Sequence, residues 1–439
     1  MNAPVTLDLY ADAAAMRTLL QQHLPGFSGG GLCIDALEVH SVRRNASLHR
    51  NPSPMTLCYD LQITDSAHGR SGPQRLVAQV FRPGLAAAAY KLQDRSALTL
   101  PRFGQALVHL PALNLLLWAL PNDPGLPQLP LLLDPLRAVE ALPESVRAAA
   151  ASGGLRVELL RYAPHHRATV RCTFVDGPRQ AERVVFGKTF FDQRAADIDA
   201  RFRWFWQQAQ RDAHAPLVAE PLGYDAVTQT AWQHSAAGLP LLPRLATAEG
   251  AAWMDRVAHA LALLHAAPLT HTTTTAPRSV AHWLPEVRRR QNKITRADAT
   301  LAERARRVAD AIEAHAAHPA TRSLSLIHGD CHPEQFWVHS DRIVLFDFDE
   351  FTLGDPMEDL AEFVLKLDQA GAAPSLSFTL IESYATAAPD RFDARCLAWH
   401  LAIQTLLQVS RAFIYQQPGW AGELERRLSA AEARTAALS

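Results

Sequence analysis

The sequence has few cysteines and no long apolar run. Its 439 residues include five cysteines and no CxxC pair, which argues against a zinc site or a disulfide framework and favours a reducing, cytoplasmic location. The longest apolar stretch, residues 113–120, is interrupted by Asn114 and followed by Pro121. Because this stretch is too short to span a bilayer, we expect no membrane contact. The first residues include acids and lack a basic start, unlike a signal peptide.

Neither sign of charge is in excess. The chain has 43 Lys and Arg against 44 Asp and Glu, a net charge of −1, so we expect no nucleic-acid partner. Lysine itself is rare, and arginine supplies most of the positive charge. A lysine in this chain is therefore a candidate for a role that a guanidinium would fill badly. The four lysines are Lys91, Lys188, Lys293 and Lys366.

Two strand-rich blocks precede a mainly helical half. Residues 31–83 and 155–191 contain strand-like segments separated by turn residues. The Pro- and Leu-rich segment 113–142 predicts an ordered connector between them. After Asp192, apolar residues recur at helical spacing up to about residue 416, with one strand–loop–strand unit at 324–348. The order of these elements predicts an α+β protein.

The two strand blocks have similar lengths and similar turns. Aligning TLCYDLQI…RLVAQVF with ATVRCTF…VVFGKTF on the last strand places Gln79 opposite Lys188. A true repeat would make the first block a degenerate copy that has lost its cation. The alternative is that any two antiparallel hairpins look alike, and the sequence leaves both open.

One segment, residues 326–360, contains most of the candidate site residues. An apolar strand leads to Asp330, and Gln335 follows five residues later. After a turn, a second apolar strand leads to Asp347 and Asp349. We expect this hairpin to bring Asp330, Gln335 and Asp347 together.

These oxygen-bearing side chains fit phosphoryl transfer from ATP or another nucleoside triphosphate, a reaction that depends on positioning and on neutralising phosphate charge. We predict that Asp330 orients the acceptor hydroxyl and takes its proton, while His328 orients the loop by hydrogen bonding. Mg²⁺ prefers hard oxygen ligands, for which Asp347 and Gln335 are candidates. Asp349 is either a second metal ligand or a turn residue.

The pattern resembles the aminoglycoside phosphotransferase and choline kinase-like family. The resemblance covers roughly residues 155–420 and implies a bilobal protein-kinase-like fold, with an antiparallel-sheet N-lobe and a helical C-lobe. The matching positions are His328-Gly329-Asp330, Gln335, Asp347-Phe348-Asp349, Gly354-Asp355-Pro356 and Asp359-Leu360-Ala361. The implied domains are an extra N-terminal region at 1–135, the N-lobe at 136–235 and the C-lobe at 236–439.

The resemblance also implies nucleotide-binding residues upstream. Lys188 matches the family's phosphate-binding lysine. No glutamate occurs in residues 189–219 to pair with it. Asp197 and Asp199 are the candidate ion-pair partners, and Asp197 is preferred. The segment 230–241 resembles the hinge, whose backbone would contact adenine. The hinge residues implied for this contact are Gln233, His234 and Ser235.

Two functions of different classes remain open. The loop 161–169 has no glycine, so no Gly-rich phosphate cover is expected. Gln335 stands where the family usually has Asn, and the glutamate expected to pair with Lys188 is missing. These last two departures favour a nucleotide-binding pseudokinase that regulates a partner protein, or a second copy of the chain, through its N-terminal region. The retained Asp330, Asp347 and Lys188 favour an active kinase whose acceptor is a small hydroxyl compound. Among sugars, amino alcohols and aminoglycosides, the many C-terminal arginines favour a sugar.

Overall fold

A computed structural model describes residues 7–44, 55–177, 181–212, 215–267, 276–415 and 419–438. Within these ranges the strands are β1 (Leu32–Arg44), β2 (Met55–Asp65), β3 (Arg70–Val80), β4 (Leu107–Leu110), β5 (Leu115–Ala119), β6 (Arg156–Ala163), β7 (Arg167–Asp176), β8 (Ala181–Phe190), β9 (Leu217–Val218), β10 (Pro221–Asp225), β11 (Thr230–His234), β12 (Leu239–Pro240), β13 (Ser325–Ile327), β14 (Phe336–His339), β15 (Arg342–Leu345) and β16 (Thr352–Gly354). The helices are α1 (Ala13–His23), α2 (Leu85–Lys91), α3 (Leu129–Leu132), α4 (Pro135–Ala141), α5 (Glu144–Ser152), α6 (Ala195–Arg211), α7 (Leu241–Leu245), α8 (Gly250–His265), α9 (Val280–Ala297), α10 (Ala302–Ala314), α11 (Pro356–Gln369), α12 (Pro374–Ala387), α13 (Ala394–Tyr415) and α14 (Trp420–Ala436). The predicted α+β class is confirmed.

Internal contacts divide the chain into two compact units. The first unit consists of Met1–Ala195 and Gly223–Trp232, and the second of Ala196–Leu222 and Gln233–Ser439. The boundary predicted at residue 135 therefore falls inside the first unit, and the finer division into three domains stays a prediction.

Two five-stranded sheets form most of the first unit. One has the order β1-β2-β3-β5-β4, and the other, read from its β6 edge, has the order β6-β7-β8-β11-β10. In both sheets, the first three strands lie side by side in chain order. The last strand of the sheet in chain order (β5 or β11) comes next, and the one before it in the chain (β4 or β10) forms the edge. Thr56 pairs with Gln79 in the first sheet, and Thr169 pairs with Lys188 in the second. A duplicated unit would give this match, which supports the repeat; the duplication itself stays a prediction.

The segment predicted as a connector contains strand β5, so that prediction is wrong in part. All five residues of LLLWA are buried, and β5 pairs with both β3 and β4. A short apolar run buried on both faces lacks the polar alternation that marks a half-exposed strand. The first sheet also buries Met16 and Leu20 of α1.

Buried polar contacts connect the N-terminal region to the second sheet. The Asp123 carboxylate accepts a hydrogen bond from the Tyr162 hydroxyl at 2.6 Å and one from the His165 backbone N–H at 2.8 Å. Burial opposes ionisation of Asp123, but hydrogen bonds from His165 and Tyr162 hold its pKa below the usual range. The Gln128 carboxamide donates to the Thr189 hydroxyl at 2.7 Å. Because a buried carboxylate is costly without such partners, these contacts fix the N-terminal region to this sheet.

Helices dominate the second unit. Helices α9, α10, α13 and α14 enclose one apolar core, which includes Trp399 and Ile403. Helix α14 lies beyond the last predicted helical segment and was missed, although Leu424, Leu428 and Ala431 are buried at helical spacing. In the described part of the chain, no helix combines the length and apolar character needed to cross a membrane.

Candidate active site

A short hairpin positions the central site residues. Strands β14 and β15 pair antiparallel with Phe336 opposite Leu345, and the Phe346 N–H donates to the Gln335 carbonyl at 3.0 Å. Gln335 therefore lies immediately before β14, and Asp347 lies just beyond the end of β15. The register of the hairpin places the two residues at the same end.

Side-chain contacts link the catalytic candidates in one cluster. The Gln335 carboxamide nitrogen donates to Asp347 Oδ2 at 3.3 Å and lies 3.2 Å from His332 Nε2. His332 Nε2 lies 3.8 Å from Asp330 Oδ2. The structure thus brings Asp330, Gln335 and Asp347 together, with His332 between the first two. Burial lowers the pKa of His332, which favours the neutral ring.

A buried carboxylate on α11 holds the loop that carries Asp330. Asp359 accepts hydrogen bonds from the backbone N–H groups of His328 at 2.7 Å and Gly329 at 2.9 Å. Its Oδ2 also lies 3.0 Å from His265 Nε2, and His265 Nδ1 lies 2.7 Å from the Tyr384 hydroxyl. Burial opposes ionisation, but the contacts from His265 and the Gly329 backbone hold the pKa of Asp359 below its usual range.

His328 and an aromatic cluster join the loop to the end of the hairpin. The His328 ring is buried, and its Nε2–H donates to the Phe346 carbonyl at 2.8 Å. Phe348, which follows Asp347, packs on Phe202 of α6 and on Phe351, with ring centroids 4.5 Å apart in each pair. The sequence identified His328 as an orienting residue but gave no sign of its partner or of the cluster.

Backbone strain marks Asp347. Its φ of 59° lies in the left-handed region, which costs a non-glycine residue about 1–2 kcal/mol and which Asp tolerates better than most residues. Asp349 lies in the single-turn 3₁₀ helix Phe348–Glu350 and is 4% exposed. Its role as a metal ligand or a turn residue stays open.

Arg278 was missed by sequence reasoning because it lies far from the motif in the chain. Its guanidinium donates to the Gly329 carbonyl at 2.6 Å, to Glu358 at 2.8 Å and to Glu350 at 2.7 Å. Burial disfavours the charged form, but Glu358 and Glu350 outweigh it and raise the pKa of Arg278. Gly329 has φ +76°, and a Cβ there would lie 2.3 Å from the Glu350 carbonyl oxygen. Arg278 thus fixes a turn that only glycine fits.

The residues predicted to bind nucleotide are divided between the units. Lys188 lies on β8 of the first unit, and Asp197 lies in the first turn of α6 in the second unit. The hinge candidates 233–235 end β11 and follow it, and the His234 N–H donates to the Glu220 carbonyl at 2.9 Å. The nucleotide-binding roles of these residues stay predictions.

Within the described ranges, one further trio of side chains has metal-ligating atoms close together, namely His318, Asp393 and Cys396, within 4.8 Å of one another. Burial raises the pKa of the Cys396 thiol to about 12, and the thiolate is the form that binds metal. Asp393 accepts from the Cys396 N–H at 2.9 Å and lies 2.8 Å from His318 Nε2. These contacts, formed where α13 begins, explain why the three side chains lie close together.

Comparisons with known proteins give a family and several structures. Residues 169–395 match the sequence model of the phosphotransferase enzyme family. A choline/ethanolamine kinase family protein from Mesorhizobium loti is 16% identical, with 65% of this chain and 90% of that chain covered and a TM-score of 0.43. A choline kinase from Cryptosporidium parvum is 10% identical, with 69% and 94% covered and a TM-score of 0.49. A thermostable mutant of aminoglycoside phosphotransferase APH(4)-Ia, in a ternary complex with AMP-PNP and hygromycin B, is 17% identical, with 66% and 96% covered and a TM-score of 0.47.

The family assignment rests on the sequence model, since all three TM-scores are below 0.5. Curated proteins give no match. The family match covers slightly more than half of the chain. It includes most of β7, all of β8 and the whole hairpin cluster from Asp330 to Asp347, and it confirms the predicted resemblance. The chain therefore belongs to the phosphotransferase enzyme family, with the α+β, protein-kinase-like fold that membership implies.

Proposed function

We propose that the protein is a kinase that uses ATP and Mg²⁺ to phosphorylate a hydroxyl group of a small molecule, with a sugar as the preferred acceptor class. The observation that carries this proposal is the linked cluster of Asp330, His332, Gln335 and Asp347. Family membership supports phosphoryl transfer. The retained carboxylates would position the acceptor hydroxyl and hold the cation that neutralises phosphate charge, as the reaction needs.

Asp330 is assigned to the acceptor. Its carboxylate orients the hydroxyl group and takes its proton as the new O–P bond forms and the bond from the γ-phosphorus to the leaving diphosphate oxygen breaks. The contacts of Asp359 and Arg278 to Gly329 support this role, because they fix the backbone next to Asp330. His328 contributes through its hydrogen bond to the Phe346 carbonyl.

The donor set at the end of the hairpin fits Mg²⁺. Asp347 supplies a carboxylate, and Gln335 supplies a carboxamide 3.3 Å away. Since the carboxamide nitrogen faces Asp347, the group must rotate by half a turn before its oxygen can bind a cation. Asp349 is a candidate for an additional ligand. When bound, the ion would neutralise charge on the phosphate groups.

The nucleotide-binding roles are proposed from the family pattern. Lys188 would hold the phosphate groups as a compact ammonium, with Asp197 as its ion-pair partner. The backbone of residues 233–235 would contact the adenine. In this segment the N–H of His234 already donates to the Glu220 carbonyl, just before β10, so the neighbouring backbone groups are the candidates for adenine.

An ADP-release assay with purified protein, ATP, MgCl₂ and a panel of sugars, amino alcohols and aminoglycosides tests the proposal. We expect turnover with at least one acceptor, and a loss of about 10²–10⁴-fold in Asp330→Ala. Asp341→Ala is the matched control, because Asp341 is exposed at the turn of the same hairpin. Nucleotide binding without turnover on any acceptor would instead favour the regulatory, pseudokinase function.

A further inference from the structure

Helices α11 and α13 carry polar side chains that are mostly buried but form no hydrogen bond with a described residue. Glu362 is 6% exposed, Gln404 is 4% exposed and Gln408 is 5% exposed. None of the three side chains forms a hydrogen bond with the residues that the structure describes, and none of their polar atoms is among the fully buried atoms without a partner. Their polar ends therefore reach solvent-accessible space, where a ligand can contact them.

Helical spacing places these side chains along the contact between the two helices. On α13, residues 404, 408 and 411 follow one another at intervals of four and three, so they share one face. On α11, residues 362 and 366 are four apart and also share a face. The two helices pack against each other. Arg411 of one face also acts electrostatically on Glu362 of the other, so the two faces contribute to one polar region.

Electrostatic interactions connect this region to the catalytic carboxylate. Burial raises the pKa of Glu362 to about 8; the negative charge of Asp330 adds to the rise, and Arg411 opposes it. Burial also lowers the pKa of Lys366, and Arg411 lowers it further, while Glu362 and Asp330 act in the opposite direction. These four charged groups are thus neighbours, and α11 also packs against the 3₁₀ turn Pro333–Gln335, which follows Asp330 in the chain.

Two cations in this region form no close ion pair in the described ranges. Lys366 and Arg411 are both partly buried, and neither forms an ion pair with a described carboxylate. Other partly buried arginines of the same unit do form them: Arg278 pairs with Glu350 and Glu358, and Arg322 with Asp355 and Asp393. A partly buried cation without a close ion-pair partner is costly, and a bound anion would provide one.

We propose that the phosphoryl acceptor is an alcohol that also bears an anionic group, a carboxylate or a phosphate, which Lys366 and Arg411 bind while the reacting hydroxyl faces Asp330. The inference rests on the proposed kinase function. Arg411 can bind either anion with two parallel hydrogen bonds, and Lys366 adds a point charge. Glu362, Gln404 and Gln408 bind further hydroxyl groups. A sugar acid or a sugar phosphate meets all of these requirements.

Binding measured by isothermal titration calorimetry in the presence of AMP-PNP and MgCl₂ tests the proposal with three matched probes: ribose, ribonate and ribose 5-phosphate. We expect at least one anionic probe to bind at least about 10-fold more tightly than ribose, the effect of 1.4 kcal/mol. The anionic probe that binds identifies the group as a carboxylate or a phosphate. Lys366→Gln and Arg411→Gln should each remove most of the preference. Arg395→Gln, an exposed position on the same helix, should retain it.

Equal binding of ribose and the anionic probes, binding of none of them, or an unchanged preference in both cation variants would overturn the proposal. Each of these results leaves the kinase function intact, because the acceptor panel and Asp330→Ala test that function separately. Loss of turnover on every acceptor together with retained anion binding would overturn the kinase function instead. Circular dichroism of each variant checks that it is folded.

Discussion

Replacing Asp359 with Asn tests how the loop before Asp330 is held. The Asp359 carboxylate accepts from the His328 N–H at 2.7 Å through Oδ2 and from the Gly329 N–H at 2.9 Å through Oδ1. His265 Nε2 lies 3.0 Å from Oδ2. All of these contacts are buried, so water cannot replace any that are lost.

An asparagine offers one oxygen and one NH₂ group where the carboxylate offers two oxygens. If the oxygen stays with Gly329, the NH₂ group faces the N–H of His328; in the reverse orientation it faces the N–H of Gly329. His265 can adapt by changing its tautomer, but a backbone N–H cannot. A hydrogen bond to a charged group contributes about 1.5–3 kcal/mol. We therefore expect Asp359→Asn to lower the free energy of unfolding by about 2–3 kcal/mol.

Urea unfolding at neutral pH measures this loss. Asp341→Asn, at an exposed turn, should stay within about 0.5 kcal/mol of the wild type. Because the folded pKa of Asp359 is depressed, its contribution is present above the unfolded pKa of about 4 and is lost as the pH falls below it. The stabilities of the variant and the wild type should therefore converge in acid. The turnover number should also fall, by about 10²-fold if the loop shifts by about 1 Å. An Asp359→Asn variant as stable and active as Asp341→Asn would refute the reasoning.

Three further predictions concern the same region. Gly329→Ala should lose more stability in urea unfolding than Gly371→Ala. Both glycines have φ near +70°, but only a Cβ at position 329 would meet a backbone oxygen, at 2.3 Å. Equal losses would contradict the clash. Glu362→Gln should gain stability relative to the wild type as the pH rises from 4.5 to 8. In this window, Glu362 keeps its proton in the folded wild type but loses it in the unfolded chain, which lowers the wild-type stability. Curves of unfolding free energy against pH that run parallel for the two proteins would contradict the raised pKa. Asp347→Asn should abolish the effect of Mg²⁺ on AMP-PNP affinity in calorimetry; an unchanged Mg²⁺ effect would exclude Asp347 as a ligand.

The sequence predicted the hairpin because all of its determinants are local. Asp330, Gln335 and Asp347 lie within one short segment, and the pairing of two adjacent strands fixes their proximity. The partners of that segment could not be found in this way. Arg278 precedes it by about fifty residues and His265 by more, and nothing in their local sequence marks them as contacts of Gly329 or Asp359.

The missed elements have a similar cause. Strand β5 is buried on both faces, so its apolar run lacks the alternation by which a strand is recognised. The two-unit division likewise depends on contacts between distant segments. The Asp123 interactions with Tyr162 and His165, for example, join residues about forty positions apart. Local patterns predict elements and motifs, whereas the contacts that hold a motif in place are tertiary.

The acids of helix α11 and its cap show how structural and functional carboxylates can be separated. Asp355 accepts from the Met357 N–H and pairs with Arg322, Glu358 accepts from Arg278 and Trp283, and Asp359 holds the loop before Asp330. Each of these acids is buried and has its hydrogen bonds within the protein, so it stabilises the fold. Glu362 lies one turn beyond Glu358 and is almost as buried, yet it forms no hydrogen bond with a described residue. Burial alone therefore does not separate Glu362 from the structural acids. Internal hydrogen bonding does, and it is on this criterion that we propose a ligand-binding role for Glu362.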